Sequence, residues 1–208
     1  MSKSRFIVIE GLEGAGKSTA IATVYQWIIS KGHQVVQTRE PGGTALAEQI
    51  RTMVKSIQTE QIAPETELLL MYAARSQLLA NVIRPALQAD QWVLADRHDL
   101  SSRAYQGGGR QIPHEIIDQI RAVVVKETRP DLTLYLDIDP AIGLSRAVAR
   151  GALDRIEQEQ LAFFQRTRQR YLEIAHSEPN IVIIDASQSL AQVQQSLITT
   201  LEQWFAHA

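Results

Sequence analysis

Cysteine is absent from the 208 residues. Its absence excludes disulfides, thiolate catalysis and cysteine–zinc sites, and it fits a reducing compartment. Long apolar stretches are missing too: the longest uncharged apolar run, 68–74, is far short of the roughly 20 residues a membrane-spanning helix needs. The start Met1-Ser2-Lys3-Ser4-Arg5 is basic, but only Phe6-Ile7-Val8-Ile9 follow before Glu10, so no secretory leader is expected. Glycine and proline are scarce, at 11 and 7 residues, which removes collagen and low-complexity disorder. Neither sign of charge dominates. With 21 Lys and Arg against 23 Asp and Glu, the net charge of −2 gives no global reason to expect a nucleic-acid or membrane partner. The composition predicts a soluble, cytoplasmic globular protein, a single domain over residues 1–208.

What is present is a set of short apolar runs, each ending in an acid. They are Phe6-Ile7-Val8-Ile9 before Glu10, Trp92-Val93-Leu94-Ala95 before Asp96, residues 132–136 before Asp137, and residues 181–184 before Asp185; Val35-Val36 makes a weaker fifth. Near-continuous apolar runs of this length suit strands covered on both faces, as a parallel sheet requires. Helical patterns lie between them, over 18–29, 65–88, 116–126, 158–176 and 190–205, with Pro85 predicting a kink or break in the second. Strand and helix alternate from end to end, the pattern of an α/β fold. Two segments interrupt it: Gln106-Gly107-Gly108-Gly109-Arg110, either a tight connection or a flexible rim, and the arginine-rich stretch 146–155.

The strongest local signal is Gly11-Leu12-Glu13-Gly14-Ala15-Gly16-Lys17-Ser18, which matches G-x-x-x-x-G-K-[ST] without a gap. Its glycines let backbone N–H groups curl around a β-phosphate, Lys17 can reach the β- and γ-phosphates, and the Ser18 hydroxyl can ligate magnesium. The motif follows a strand pattern and opens a helical one, the context that confirms it. A GTPase reading fails, because neither asparagine, Asn81 or Asn180, is followed by lysine and no aspartate is followed three residues later by glycine. A transporter-type signature is also missing, which leaves a small kinase. Asp96-Arg97 at the end of a strand pattern supplies an acid that can organise magnesium and a guanidinium that can fork onto a phosphate. His98 reads as local structure.

Several motifs in one order resemble the bacterial thymidylate kinases over essentially the whole length. They are the run from Phe6 through the phosphate loop to Thr19, Thr38-Arg39-Glu40-Pro41-Gly42-Gly43-Thr44, Tyr72-Ala73-Ala74-Arg75, Asp96-Arg97-His98-Asp99-Leu100-Ser101, Ala104-Tyr105-Gln106, Pro130 to Asp137, and Gly151-Ala152-Leu153-Asp154-Arg155. The resemblance implies the P-loop nucleoside-monophosphate kinase fold: a five-stranded parallel sheet flanked by helices, with a mobile lid at about 146–157. It implies the conversion of ATP and dTMP to ADP and dTDP, with Mg²⁺ as cofactor, and a homodimer. ATP would lie on Gly11 to Thr19, with Ser18 and Asp96 at the metal and backbone groups near Asp185-Ala186-Ser187 at the adenine. Glu13 would face the sugar 3′-hydroxyl, and Arg39 and Arg97 would hold the dTMP phosphate. Arg75 would address the thymine edge with Ser101 and Gln106 nearby, and Tyr105 would disfavour a 2′-hydroxyl. Where these kinases carry a phenylalanine that stacks on thymine, this chain has Met71, whose thioether can also pack on a ring; Tyr72 is the other candidate.

The family takes its transfer-site cation either from an arginine inside the phosphate loop or from the lid. Position 14 here is glycine, so the lid pattern is expected, with Arg150 and Arg155 in the catalytic role beside Lys17 and Arg97, and Arg146 in reserve. Cations from a closing lid can neutralise a transferring phosphoryl group. No general base is required, because a phosphate monoester with a second pKa near 6 is already largely dianionic at pH 7. Two other functions stay open at this point: a kinase for a different nucleoside monophosphate or for a nucleoside, and an ATP-binding regulatory module without turnover.

Overall fold

Each of the four strong apolar runs is a strand, and each continues through the acid that ends it. The computed structural model describes residues 4–207; Met1, Ser2 and Lys3 of the basic start lie outside the described residues, as does Ala208. Strand β1 spans Phe6–Gly11, β2 Val35–Arg39, β3 Trp92–Asp96, β4 Leu132–Asp137 and β5 Ile181–Asp185. They form one parallel sheet in the order β2-β3-β1-β4-β5. All of β1 and nearly all of β3 and β4 is buried, which is why these strands read as unbroken apolar runs. The edge strand β2 is half exposed, so only Val35-Val36 marked it.

Alternate residues of β1 serve opposite faces, as strand geometry dictates. Ile7 and Ile9 join a core with helices α1 (Lys17–Ser30) and α9 (Leu190–Ala206), while Phe6 and Val8 join a second core with α3 (Pro64–Leu78) and the helical turns after it. The chain leaves β1 towards β2 on one side and leaves β4 towards β5 on the other. A crevice therefore opens beyond the carboxyl ends of the central strands, the usual ligand position in such sheets. Register brings Asp96 level with Ile9, and Gly11 level with Leu136.

The helices depart from expectation in four informative places. Helix α2 (Ala45–Lys55) was not anticipated, although Thr44 caps it by accepting from the Ala47 N–H at 3.2 Å and Ala47, Ile50 and Val54 form its buried stripe. The expected 65–88 helix is not broken at Pro85; it widens to a π-helical stretch at Leu79–Ile83 and resumes as α4 (Arg84–Gln88). Proline lacks an N–H and crowds the carbonyl four residues earlier, so the disturbance falls one turn upstream. The helix expected over 116–126 is α6 (His114–Val124), two residues earlier at each end because it starts directly after Pro113. The arginine-rich stretch divides: α7 (Pro140–Arg150) ends at Gly151, and 152–160 are irregular before α8 (Leu161–Ser177).

The glycine run is a tight connection, not a loose rim. After the short α5 (Asp99–Ser102), residues Arg103–Gly109 form a second π-helical stretch pressed against α8. A Cβ on Gly108 would come within 2.6 Å of Arg170 Cβ, and one on Gly109 within 2.5 Å of the Phe163 ring. Only glycine allows α8 that close.

Candidate active site

The crevice holds a cavity of about 430 Å³. On one side stands the phosphate loop, between β1 and α1. Gly16 takes a left-handed conformation at φ 89°, which turns the chain so that the first N–H groups of α1 point into the cavity. Gly14, also left-handed at φ 71°, is held to glycine by a second cause as well. Helix α7 lies so close that a Cβ there would meet the Gly143 carbonyl oxygen at 2.1 Å, and one on Gly143 would meet the Glu13 carbonyl at 2.5 Å. Lys17 Nζ donates to the carbonyls of Gly11 at 3.0 Å and Leu12 at 2.9 Å. Burial, and then repulsion from Arg97, pull the Lys17 pKa down to about 8 despite the attraction of Glu13, Asp96 and Glu10.

Facing the loop is Arg97, at φ 70°, its N–H bonded to the Ile9 carbonyl at 2.9 Å. Such a backbone costs a non-glycine residue about 1–3 kcal/mol and marks a position that the surroundings enforce. Four side chains engage its guanidinium: Nη2 donates to Glu13 Oε1 at 2.7 Å and Tyr105 OH at 3.1 Å, and Nη1 to Ser101 Oγ at 3.1 Å and Tyr171 OH at 3.4 Å. Tyr105 OH donates in turn to Glu13 Oε2 at 2.6 Å. Burial pushes the Glu13 carboxyl up, but the Arg97 and Lys17 cations and the Tyr105 hydroxyl outweigh it and leave it below the ordinary value.

Behind this cluster sits Glu10, fully buried. It accepts from the backbone N–H groups of His98 and Ser101 and from the hydroxyls of Ser101 and Tyr171, at 2.6–3.1 Å. Burial keeps its carboxyl above the ordinary range even so. By tying the residues after β3 to β1, Glu10 sets where Arg97 stands. In the sequence it looked like the polar end of an apolar run and nothing more.

Deeper in, Arg75 reaches the cavity from α3 with 2 % of its surface exposed. Its Nε donates to Glu40 Oε2 at 2.7 Å and its Nη2 to the His98 carbonyl and Ser102 Oγ, both at 3.0 Å, while the buried Nη1 makes no hydrogen bond and has Asp99 Oδ1 at 4.0 Å. His98 supports this arrangement through Nδ1, 2.6 Å from Glu40 Oε1, as a structural residue. Ser101 lines the cavity but bonds to the Arg97 cluster; Ser102 is the serine that touches Arg75. Met71 and Gln106 are both on the cavity wall. Tyr72 is not: its ring lies under the Arg75 guanidinium at 4.5 Å, and its hydroxyl donates to Asp99 Oδ1 at 2.8 Å.

Of the expected loop residues, Gly11, Leu12 and Ala15 do not line the cavity, Leu12 and Ala15 being buried in the core beneath it; of the expected arginines, two are not brought to it. Arg39 is exposed and paired with Glu48 at 3.0 Å, while Arg51, one turn further along α2, lines the cavity instead. Burial, and the charges of Arg39 and Arg97, lower the Arg51 pKa, the mark of a cation crowded by cations. Arg155 points behind the wall, donating from Nε to the Val54 carbonyl at 2.7 Å and from Nη2 to Glu67 Oε2 at 2.6 Å. Arg146 and Arg150 are the arginines of that stretch that line the cavity. Arg150 is held by Glu157, and Arg146 lies near the Gly14 and Ala186 carbonyls, both at 3.4 Å. Position along α7 explains the difference, since residues four apart share a helix face. Asp96, at the end of β3, also lines the cavity, and its Oδ1 is buried without a partner.

Comparison with known proteins bears on the reading of this cavity. A family model described as "Thymidylate kinase" matches residues 9–197. The chain is 59% identical over 204 residues to a thymidylate kinase of Pseudoalteromonas translucida (strain TAC 125), covering 98% of each. It is 58% identical to one of Idiomarina loihiensis, over 96% of this chain and 98% of that one. Among solved structures, the crystal structure of thymidylate kinase from Ehrlichia chaffeensis superposes with a TM-score of 0.78 at 29% identity, covering 97% of this chain and 99% of that chain.

Proposed function

The chain belongs to the thymidylate kinase family, and from that premise we propose how its residues divide the phosphorylation of dTMP to dTDP. The observation that carries the assignment is a phosphate loop with Lys17 on one side of a single cavity and Arg97, Arg51 and the free Nη1 of Arg75 on the other. ATP is the donor, on Gly11 to Thr19. The acceptor phosphate meets Arg97 and Arg51, the latter taking the role first expected of Arg39. Glu13 and Tyr105, bonded to each other, close on the sugar. Thymine lies against Met71, with its polar edge towards Arg75 Nη1 and Gln106.

The nucleophile is a dTMP phosphate oxygen, so the chain's task is to hold two polyanions in line and dry, not to remove a proton. Lys17 and Arg97 fix positive charge on both sides of the transferring group. Arg150 and Arg146 add charge from α7, supporting a lid at 146–157 within one domain. Mg²⁺ fits the residues present. The orphaned, buried Asp96 Oδ1 and the Ser18 hydroxyl are hard oxygen donors beside the loop, and magnesium is commonly held by one or two side chains plus substrate phosphates. When bound, the ion would be held by Asp96 and Ser18 and would neutralise phosphate charge.

Exposed Leu69 on α3 and Ile116 and Val123 on α6, helices that pack together, support the homodimer. Among the described residues no helix is long and apolar enough to cross a membrane. The reaction draws on ATP and feeds DNA synthesis, and a cytoplasmic location goes with it.

An ADP-release assay with Mg-ATP across dTMP, dUMP, dGMP, CMP, thymidine and no acceptor tests the reading. Turnover strongest with dTMP and absent with thymidine is the expected result. Preference for another monophosphate would overturn the base assignment, and ATP binding without turnover on any acceptor would make the protein a regulatory module.

A further inference from the structure

Arg155 was expected at the phosphates, yet it does not line the cavity, and its partner is a heavily bonded carboxylate behind the cavity wall. Glu67 is fully buried on α3. Its Oε1 accepts from Gln106 Nε2 at 2.9 Å and Arg110 Nε at 3.1 Å; its Oε2 accepts from Arg110 Nη2 at 3.0 Å and Arg155 Nη2 at 2.6 Å. The hydrogen bonds from Arg110, Gln106 and Arg155 hold its carboxyl below the ordinary range against the opposing effect of burial. One buried group thus joins three parts of the chain that the sequence keeps far apart.

Two of those parts belong to the base side of the cavity. Gln106 lies on the wall, and Met71, one helical turn after Glu67, lies on it as well. The third is the irregular segment between α7 and α8. Its other ion pairs are Lys55 with Asp154 and Arg150 with Glu157, at the cavity surface, and Arg110 with Glu159. Arg155 is the residue of this segment whose charge reaches Glu67, and its backbone N–H bonds the Lys55 carbonyl at 3.1 Å. The same segment carries Asp154, Ile156 and Glu157 on the cavity surface, and Glu157 holds Arg150.

We propose that Glu67 is a positioning residue that couples the base wall to the 151–160 segment, so that filling the base pocket steadies the segment that aims Arg150 at the phosphates. The proposal rests on the acceptor-site reading above. A base seated against Met71 and Gln106 restricts both side chains. Restricting Gln106 fixes the carboxylate it shares with Arg155, because Glu67 has no freedom to satisfy the two arginines and the amide in another arrangement. Coupling of this kind needs a contiguous set of contacts with a defined state at each end, and ordering at one end lowers the entropy lost at the other. It gives the kinase a means to bring its transfer-site cation into place when an acceptor is present.

Hydrogen exchange on the full chain, with saturating dTMP and no ATP, tests this, alongside steady-state kinetics and thermal melts. In the wild type dTMP is expected to slow exchange about tenfold or more both at the base wall (68–75 and 103–110) and at 152–160. In Glu67→Gln and Arg155→Gln, protection of the base wall persists and that of 152–160 is lost. The kcat then falls about tenfold while KM for dTMP moves less than about threefold, the split expected when only transition-state alignment is lost. Arg155→Lys, which keeps the charge without the fork, restores part of the protection. Should Glu67→Gln fail to fold, Arg155→Gln carries the test, since it leaves Glu67 bonded to Arg110 and Gln106. Equal protection of 152–160 in variants and wild type would overturn the proposal, as would a wild type protected only at the base wall. If dTMP protects neither region, the acceptor-site reading falls and the proposal with it.

Discussion

From Gly11 to Ser18 the phosphate loop meets the cavity with backbone groups, Lys17 and the Glu13 carboxylate that pairs across to Arg97, whereas the wall opposite presents side chains from α2, α3, the end of β3 and the π-helical stretch after α5. The loop is one contiguous segment whose shape is set by dihedral angles and by the approach of α7. The wall is held by buried charge: Arg75 on Glu40, Arg97 on Glu13, and Glu67 under Arg110 and Arg155. A site made of backbone can lose its lysine and keep its fold. A site made of buried ion pairs cannot lose one partner without stranding the other.

The sharpest way to break that contrast is Arg75→Met, which leaves Glu40 buried beside His98. Unfolding free energy is expected to fall by about 3–5 kcal/mol, read from urea midpoints. The pH dependence should change as well. Burial opposes it, but Arg75 and His98 hold Glu40 below its ordinary value of 4.5, and Arg75 and Arg121 hold Asp99 below its own 3.8. Groups shifted down contribute stability that is complete above those values and is lost as pH falls through the folded pKa. The wild type should therefore weaken on acidification below about pH 4.5, and Arg75→Met should show a flatter profile over the same range. An unchanged midpoint at neutral pH would remove the contrast.

On the loop side, Lys17→Met should lower kcat about a thousandfold, the scale of losing one preorganised charge at the transition state, without lowering Tm. Its buried ammonium already has its pKa pulled down to about 8, so removing it does not strand a stabilised pair. A large drop in Tm would put Lys17 among the structural charges instead. Gly109→Ala should cost about 1–3 kcal/mol through overpacking against Phe163 and Thr167, measured by thermal or urea melts. A neutral result would mean that α8 can retreat. Smaller again, Arg150→Ala should reduce kcat about tenfold and KM for either substrate less; an effect confined to KM would take Arg150 out of the transfer step. The smallest effect belongs to Met71→Phe, which should leave dTMP affinity unchanged or tighten it severalfold, given that ring and thioether pack similarly. Strong weakening in calorimetry would refute thymine contact at position 71.

The same contrast explains how much could be read in advance. The phosphate loop was legible because one unbroken segment both forms it and carries its signature. Met71, Arg75, Tyr105 and Gln106 were legible through the family resemblance, and all reach the cavity. Arg39 was expected and Arg51 was missed, because which arginine faces inward depends on where α2 lies, and α2 itself was missed despite its Thr44 cap. Arg155 stood out for its charge, yet the chain turns at Gly151 and sends it to Glu67. Glu10 and Glu67 were invisible: a single glutamate in an apolar stretch carries no sign of the donors that will surround it.

Local chemistry was enough to determine the alternation of strands and helices, the acids at the strand ends, the nucleotide loop and the family. These depend on periodicity and on residues adjacent in the chain. Only the tertiary structure decided that Gly14 is required by Gly143 and that Gly108 and Gly109 admit α8. It alone decided which arginines line the cavity, and that one buried carboxylate joins α3 and the π-helical stretch to the segment before α8. Those outcomes depend on distances between residues remote in sequence, and the packing of helices on the sheet is what sets them.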